Sequence, residues 1–110
     1  MYGTIARLRV KPGRMEDLIH ETRSFEHLDV PGFEATYLLG ADADANEAWI
    51  VALFVDRDSY RFNAESPEQD ARYRRMRDLL EADPEWHDGE IIATAGIGDT
   101  TGRGGAGGGF

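Results

Sequence analysis

Apolar and polar residues alternate at the start of the chain and predict a β-strand over residues 2–10. One face of this strand carries Thr4, Ala6, Leu8 and Val10, and the other carries Ile5, Arg7 and Arg9. From Arg14 the apolar positions change to helical spacing, and this pattern ends before Pro31 and Gly32. The second predicted element is therefore an amphipathic helix.

Two later apolar runs are rich in aromatic and branched residues, which are typical of strands. They are Phe33–Leu39 and Ala48–Val55, and a polar, turn-prone segment separates them. This arrangement predicts a β-hairpin. Trp86–Ala95 predicts a last strand, with Gly89 at a bulge.

The segment Ser66–Gln69 has the form of a capping box: serine at the N-cap, proline at the first helical position and glutamine three residues after the cap. It predicts the start of a helix that carries Tyr73, Met76 and Leu80 on one side. The helix is expected to end at Asp83, because a residue that precedes proline is pushed out of helical geometry.

A short helical turn is expected between the second hairpin strand and Ser66. Tyr60 and Asn63 lie three residues apart in this turn, so they would share one face of it. The polar pair would then lie between a strand end and a helix start, where it is a candidate for the wall of a pocket.

The element order βαββαβ predicts an α+β, ferredoxin-like fold with two helices on one face of a four-stranded antiparallel sheet. The other sheet face would be exposed, and it is expected to be too apolar for water. The residues assigned to this open face are Ile50, Ala52, Phe54, Tyr37 and Leu39. Two protomers that pair their sheets would cover it, so the predicted unit is a homodimer that forms a closed α+β barrel.

Composition adds limits to this picture. The 110 residues, 41% of them hydrophobic, suffice for one domain, predicted over residues 1–97, with a flexible glycine-rich tail over residues 98–110. The net charge of −9 argues against nucleic acid as a partner. Four arginines at positions 72, 74, 75 and 77 are interleaved with acidic residues and are interpreted as a solvated helix face.

Localisation and metal binding follow from residue types that are missing. The sequence has no cysteine, no apolar run long enough for a bilayer and no basic leader, so a cytoplasmic protein without membrane contact is expected. Glu16 and His20 lie four residues apart, and His20 and His27 lie two helical turns apart, but neither pair is completed by a further ligand. No metal site is therefore predicted.

Three segments, Ile5–Gly13, Val30–Phe33 and Phe54–Pro67, resemble the antibiotic biosynthesis monooxygenase-like family of dimeric α+β barrel proteins, and the resemblance covers residues 2–95. Many members have a histidine four residues before the proline, where this chain has Asn63. The haem-degrading branch has an asparagine, a tryptophan and an iron-binding histidine at positions that correspond to Ala6, Asn63 and Tyr73. The resemblance therefore argues against haem degradation.

The cofactor-free branch of this family, which oxidises aromatic phenols, is more similar. Its Tyr-Arg-x-Asn run matches residues 60–63, while its strand tryptophan and asparagine fall on Phe54 and Ile50, and its helix arginine falls near Tyr73 or Arg74. This resemblance implies a monooxygenase that needs no cofactor and acts with molecular oxygen on a small aromatic hydroquinone or phenol.

In that function, Tyr60 and Asn63 would be the catalytic residues and would donate hydrogen bonds to the substrate oxygens. Arg74 would favour the phenolate. The residues expected to pack against the ring are Trp49, Phe54 and Tyr73.

Structural roles remain open for these residues, since Trp49 and Tyr73 also suit a core or a dimer interface, and Asn63 suits a helix end. The alternative function is a non-catalytic dimer that binds a small apolar ligand or acts as a structural accessory. An interior filled by side chains would favour this alternative, and a pocket lined by Tyr60, Asn63 and Arg74 would favour the oxygenase.

Overall fold

The computed structural model describes residues 1–96. Its elements are β1 (Tyr2–Arg9), α1 (Met15–Arg23), a 3₁₀ turn (Ser24–His27), β2 (Phe33–Gly40), β3 (Glu47–Phe54), α2 (Arg57–Ala64), α3 (Pro67–Arg77) and β4 (His87–Glu90). The four strands form one antiparallel sheet in the order β2-β3-β1-β4. This confirms the predicted ferredoxin-like α+β fold. The predicted tail over residues 98–110 lies outside the described residues.

Two adjacent caps explain why the second helical region is split. The Asp56 side chain accepts a hydrogen bond from the Ser59 backbone N–H at 2.8 Å and starts α2. The Ser66 hydroxyl accepts from the Gln69 N–H at 3.1 Å and starts α3, as the capping box predicts. The two helices therefore follow each other as separate elements, and α2, with eight residues, is a full helix rather than the single turn expected.

The expected end of α3 at Asp83 is wrong, because the helix ends at Arg77. The two leucines that follow leave helical geometry and complete the core: Leu79 is 5% exposed and Leu80 is fully buried. Leu80 also forms an antiparallel bridge with Val10, just after β1. Tertiary packing of these two side chains therefore overrides the local helical pattern.

The core lies between the sheet and the helices, and the two faces of β1 divide as the alternation predicts. The buried residues of the core are Ala6, Leu8, Val10, Leu18, Ala48, Ile50, Leu79 and Leu80. Arg7 and Arg9 point away from it and form ion pairs with Glu47 and Asp44, respectively.

The predicted face of β3 is wrong. Ile50 pairs with Ala6 and Ala52 pairs with Thr4, so both lie on the face that the helices cover, and Phe54 is only 2% exposed. The open face instead carries Trp49 and Val51 from β3, together with Ile5, Tyr37 and Leu39 of the neighbouring strands. It remains apolar, as expected, but with different residues from β3.

The last strand is much shorter than the predicted Trp86–Ala95. It pairs only with the first half of β1, from Tyr2 to Ile5. Just beyond the ladder, the Ile91 N–H donates a hydrogen bond to the Met1 carbonyl at 2.8 Å. Gly89 pairs regularly with Gly3 and forms no bulge.

A glycine fixes the approach of α2 to the sheet. Gly32 has φ of +76°, and a Cβ at this position would collide with the Ser59 side chain. Its carbonyl accepts a hydrogen bond from the Val55 N–H at 2.8 Å. The start of α2 is therefore held against the turn that leads into β2. Among the described residues, no helix is long and apolar enough to span a bilayer.

Candidate functional site

A cavity of about 350 Å³ lies between the helices and the covered face of the sheet. Apolar side chains form most of its wall: Leu18, Phe25, Phe33, Ile50, Phe54 and Met76. Polar groups enter it from three directions, namely the sheet, α2 and α3. The site therefore combines an apolar interior with a few fixed hydrogen-bonding groups, which is the usual composition of a small-molecule pocket.

Four aromatic rings form a continuous wall along this cavity. Phe25 stacks on Phe33 at 5.2 Å between ring centroids, Phe33 meets Phe54 edge to face at 5.7 Å, and Phe54 meets Tyr60 edge to face at 5.6 Å. Such contacts are favourable beyond their buried area. The Tyr2 ring also lies 5.2 Å from the Tyr60 ring, measured between centroids. Together these contacts fix the orientation of the Tyr60 ring.

The Tyr60 hydroxyl donates a hydrogen bond to Asp88 Oδ1 of β4 at 2.9 Å. Burial raises the pKa of Tyr60 to about 12, and the hydrogen bond to the Asp88 carboxylate acts in the same direction. The Thr4 hydroxyl is near enough to oppose part of this rise in pKa. Tyr60 is therefore protonated at neutral pH and cannot act there as a free base, while its oxygen can still accept a hydrogen bond.

A cation approaches the other end of the aromatic wall. The Arg72 guanidinium lies 5.1 Å from the centre of the Phe25 ring. Its NH2 group donates to Asn63 Oδ1 and its Nε donates to Gln69 Oε1, both at 3.0 Å. Burial lowers the pKa of Arg72 from its ordinary value, but a guanidinium remains charged at neutral pH. These two partners are neutral amides, so they orient the positive charge without cancelling it.

Two hydroxyls of the cavity wall have no partner. Within residues 1–96, neither Thr4 Oγ1 nor Thr36 Oγ1 makes a hydrogen bond of normal geometry, although both atoms are buried. Thr4 Oγ1 lies close to the Tyr60 hydroxyl, as the influence on its pKa indicates, but it is not hydrogen-bonded to it. Thr4 is only 7% exposed. Buried polar atoms are nearly always paired, so these two are unusual.

Four of the predicted site residues line the cavity: Phe54, Tyr60, Asn63 and Tyr73. Trp49 and Arg74 do not. Trp49 lies on the open face of the sheet, where it is 37% exposed. The Arg74 side chain is 77% exposed and pairs with Asp70 one helical turn earlier at 2.7 Å. Helix α3 turns its Gln69, Arg72, Tyr73 and Met76 positions toward the cavity, and this stripe leaves Arg74 outside.

The sequence interpretation missed Arg72, Asp88 and the two threonines as site residues. Arg72 was assigned to a solvated face, although it falls one position before Tyr73 and four before Met76 on the apolar stripe of α3. A polar Thr4 on the otherwise apolar face of β1 was a second available signal. Asp88 lies on a strand with no buried residue, so nothing local distinguishes it.

Solved structures share this fold. One of them, from Chloroflexus aurantiacus J-10-fl, is named as an antibiotic biosynthesis monooxygenase. It matches with a TM-score of 0.70 and 23% identity, and the match covers 87% of this chain and 97% of that one. SnoaB, a cofactor-independent oxygenase from Streptomyces nogalater, has a TM-score of 0.70 and 22% identity, covering 84% and 94%. A conserved protein from Methanosarcina mazei Go1 has a TM-score of 0.68 and 15% identity, covering 79% and 88%.

No curated protein matches the sequence. The family model for antibiotic biosynthesis monooxygenase, however, matches residues 1–75. This span includes β1 to α2 and most of α3, and therefore nearly all of the cavity wall apart from Asp88, Trp86 and Met76. The chain belongs to the antibiotic biosynthesis monooxygenase family.

Proposed function

We propose that this protein is a monooxygenase that oxidises a small aromatic hydroquinone or phenol with molecular oxygen and without a cofactor. The observation that carries the proposal is the aromatic-walled cavity of about 350 Å³ with Arg72 at one end of the ring wall and the Tyr60–Asp88 pair at the other. A structural accessory would suit an interior filled by side chains, and the cavity argues against that alternative.

The electron balance of such a reaction needs no further reductant. A phenol with an unsubstituted ring carbon reacts with O₂ to give a quinone and water. The substrate gives up the four electrons of its O–H and C–H bonds, one oxygen atom becomes the new carbonyl and the other becomes water. The protein has only to bind the ring, favour the phenolate and exclude bulk water.

In the proposed first step, the phenol proton passes to Asp88 through Tyr60. The Tyr60 oxygen takes the substrate proton as it releases its own to the carboxylate 2.9 Å away, so Tyr60 stays neutral throughout, as its raised pKa requires. The negative charge of the phenolate spreads from its oxygen into the ring, and Arg72 favours this charge from the other end of the cavity, where Asn63 and Gln69 already orient the guanidinium.

In the second step, a ring carbon of the phenolate forms a bond to O₂, and the peroxide takes the proton back from Asp88. The carboxylate then accepts the proton of the same ring carbon. The O–O bond breaks, one oxygen remains as the quinone carbonyl and the other leaves as hydroxide, which takes this proton and becomes water. Asp88 ends the cycle ionised, and Tyr60 ends it protonated.

The test is oxygen consumption by the purified protein with a panel of hydroquinones and phenols, in the presence of a strong chelator. We expect substrate-dependent uptake of oxygen above the autoxidation rate, and one atom of ¹⁸O from ¹⁸O₂ in the quinone product. The absence of enzyme-dependent uptake across the whole panel contradicts the proposal. A product that carries no ¹⁸O contradicts it as well, since an oxidase would transfer electrons only.

We also propose that the functional unit is a homodimer formed through the open face of the sheet. Ile5, Tyr37 and Leu39 are 40%, 50% and 60% exposed on this face, and Trp49 lies beside them. A second copy of the same apolar surface covers it in a symmetric pair. Light scattering should give a mass near twice the 12.2 kDa of one chain, and a monomer at micromolar concentration contradicts the dimer.

A further inference from the structure

We propose that four cross-strand neighbours, Thr36, Ala52, Thr4 and Asp88, form one recognition row that selects a flat, two-ring aromatic ligand with oxygen groups on opposite edges. The inference rests on the proposed function, because it names the substrate class of the same cavity. It adds the two threonines as specificity-determining residues and makes Ala52 the floor on which the rings lie.

The strand register places these residues in a single line across the sheet. Thr36 and Thr4 both pair with Ala52, from β2 and β1 respectively, and Thr4 pairs on its other side with Asp88 of β4. Cross-strand partners point to the same face, and all four residues line the cavity. With neighbouring strands about 4.8 Å apart, the two threonines are separated by about 10 Å.

The two threonine hydroxyls are unpaired in the described part of the chain, although both oxygens are buried. A valine at either position would have the same shape and would avoid the unfavourable burial of a hydroxyl. A hydroxyl that is unfavourable in the empty cavity becomes favourable once a ligand oxygen pairs with it. The structure offers two such hydroxyls, so the ligand is expected to carry at least two oxygens.

Ala52 leaves room for the ligand between these hydroxyls. Its neighbours on the same face of β3 are Ile50 and Phe54, which have much larger side chains. The small methyl group therefore leaves a shallow, apolar depression in the middle of the row. An aromatic ring system that lies flat in this depression directs its edges toward Thr36 on one side and Thr4 on the other.

The two ends of the row differ in chemistry. The Thr36 end has a neutral hydroxyl, whereas at the other end Thr4 is followed by Asp88 and by the Tyr60 hydroxyl that it holds. A carboxylate accepts hydrogen bonds only, so the Thr4 end favours a phenolic O–H, and the Thr36 end accepts a hydroxyl or a carbonyl. The row therefore also fixes which edge of the ligand loses its proton.

The test measures binding without turnover, under anaerobic conditions, with two matched probes: 2,6-dihydroxynaphthalene, with oxygens on opposite edges, and 2-naphthol, with one. We expect the diol to bind to the wild type about tenfold more tightly, the gain from one additional hydrogen bond. Thr36→Val should lower the affinity for the diol by about tenfold and that for 2-naphthol by less than about twofold. Thr4→Val should also lower the affinity for the diol.

Equal affinity of the wild type for the two probes, binding of neither probe, or an equal loss for both in Thr36→Val overturns the inference. Circular dichroism of each variant establishes that it is folded. This outcome is separable from that of the proposed function. If Thr36→Val selectively lowers the affinity for the diol but the protein consumes no oxygen, the oxygenase is refuted and the recognition row stands. If the protein consumes oxygen but does not distinguish the two probes, the recognition row alone is refuted.

Discussion

The two faces of the single sheet carry opposite mismatches between side chain and environment. On the covered face, polar hydroxyls of Thr4 and Thr36 are buried without partners in the described residues. On the open face, apolar side chains such as Tyr37 and Leu39 are half exposed or more. Each face is therefore suited to something that it lacks in one isolated chain: an oxygen-bearing ligand on one side and an apolar surface on the other.

This difference indicates how one strand pattern supports two kinds of recognition. Alternate residues of β1 and β3 point to opposite faces, so each strand contributes to both without conflict. Thr4 and Ile5 are sequence neighbours, yet the first belongs to the cavity and the second to the proposed interface. Substitutions on one face should consequently affect one form of recognition and leave the other intact.

The largest expected effect comes from placing a charge on the open face. Tyr37→Asp puts a carboxylate opposite Val51, and the symmetric dimer would bury two such charges. We expect the dissociation constant to rise by on the order of 100-fold or more, since burial of each unpaired charge costs several kcal/mol. Phe62→Asp is the matched control, because Phe62 of α2 is 71% exposed and lies off the sheet. Analytical ultracentrifugation measures both, and similar dissociation of the two variants contradicts an interface at the open face.

A smaller effect is expected from two arginines two positions apart on α3. Arg72→Gln should lower kcat/KM by about 10- to 100-fold, the range expected for the loss of a charge-assisted interaction with the phenolate. Arg74→Gln removes only an exposed ion pair with Asp70 and should change kcat/KM by less than about twofold. Arg72→Lys should recover part of the activity if charge is what matters. Steady-state oxygen uptake measures kcat/KM for each variant. Equal losses of kcat/KM in Arg72→Gln and Arg74→Gln contradict the assignment of Arg72 as the residue that favours the phenolate.

Local signals sufficed for much of the fold. Alternation in β1 identified its buried face, and the capping box located the start of α3 to the residue. The run Ala48–Val55 lacks alternation because both of its faces are apolar, one for the core and one for the open surface. Its orientation is set by pairing with β1, which sequence spacing alone does not reveal.

The site was predicted only in part, for a similar reason. Tyr60 and Asn63 were found because three-residue spacing in a helix places both on one face. Which of four nearby arginines enters the cavity depends on the rotation of α3 about its axis, and the packing of Tyr73 and Met76 against the cavity sets that rotation. Asp88 required knowledge that β4 pairs beside Thr4, a contact between residues 84 positions apart.

The pH dependence of stability provides a third test, on the covered face. The pKa of Tyr60 is about 12 in the folded protein and about 10 in an unfolded chain, so the protonated form stabilises the fold fully below pH 10. As the pH rises from about 10 to 12, the unfolded chain ionises first and this stabilisation is lost. Urea unfolding should therefore show a steeper decline for the wild type than for Tyr60→Phe over this interval, relative to their difference at pH 8. Parallel declines contradict the half-buried, carboxylate-bound state of Tyr60.

The smallest expected effect is a gain in stability, whereas most substitutions of buried residues lower it. Thr36→Val should raise the free energy of unfolding of the ligand-free protein by about 1 kcal/mol, because it removes a buried hydroxyl that has no partner among the described residues. Thr22→Val is the contrast: Thr22 lines the same cavity, but its hydroxyl donates to the Leu18 carbonyl at 2.9 Å, so its loss should give no such gain. Chemical unfolding measures both variants. A stabilised Thr36→Val that binds the diol less tightly would mean that the covered face gives up stability in order to recognise its ligand, whereas a destabilised variant would mean that the hydroxyl is already satisfied in the empty cavity.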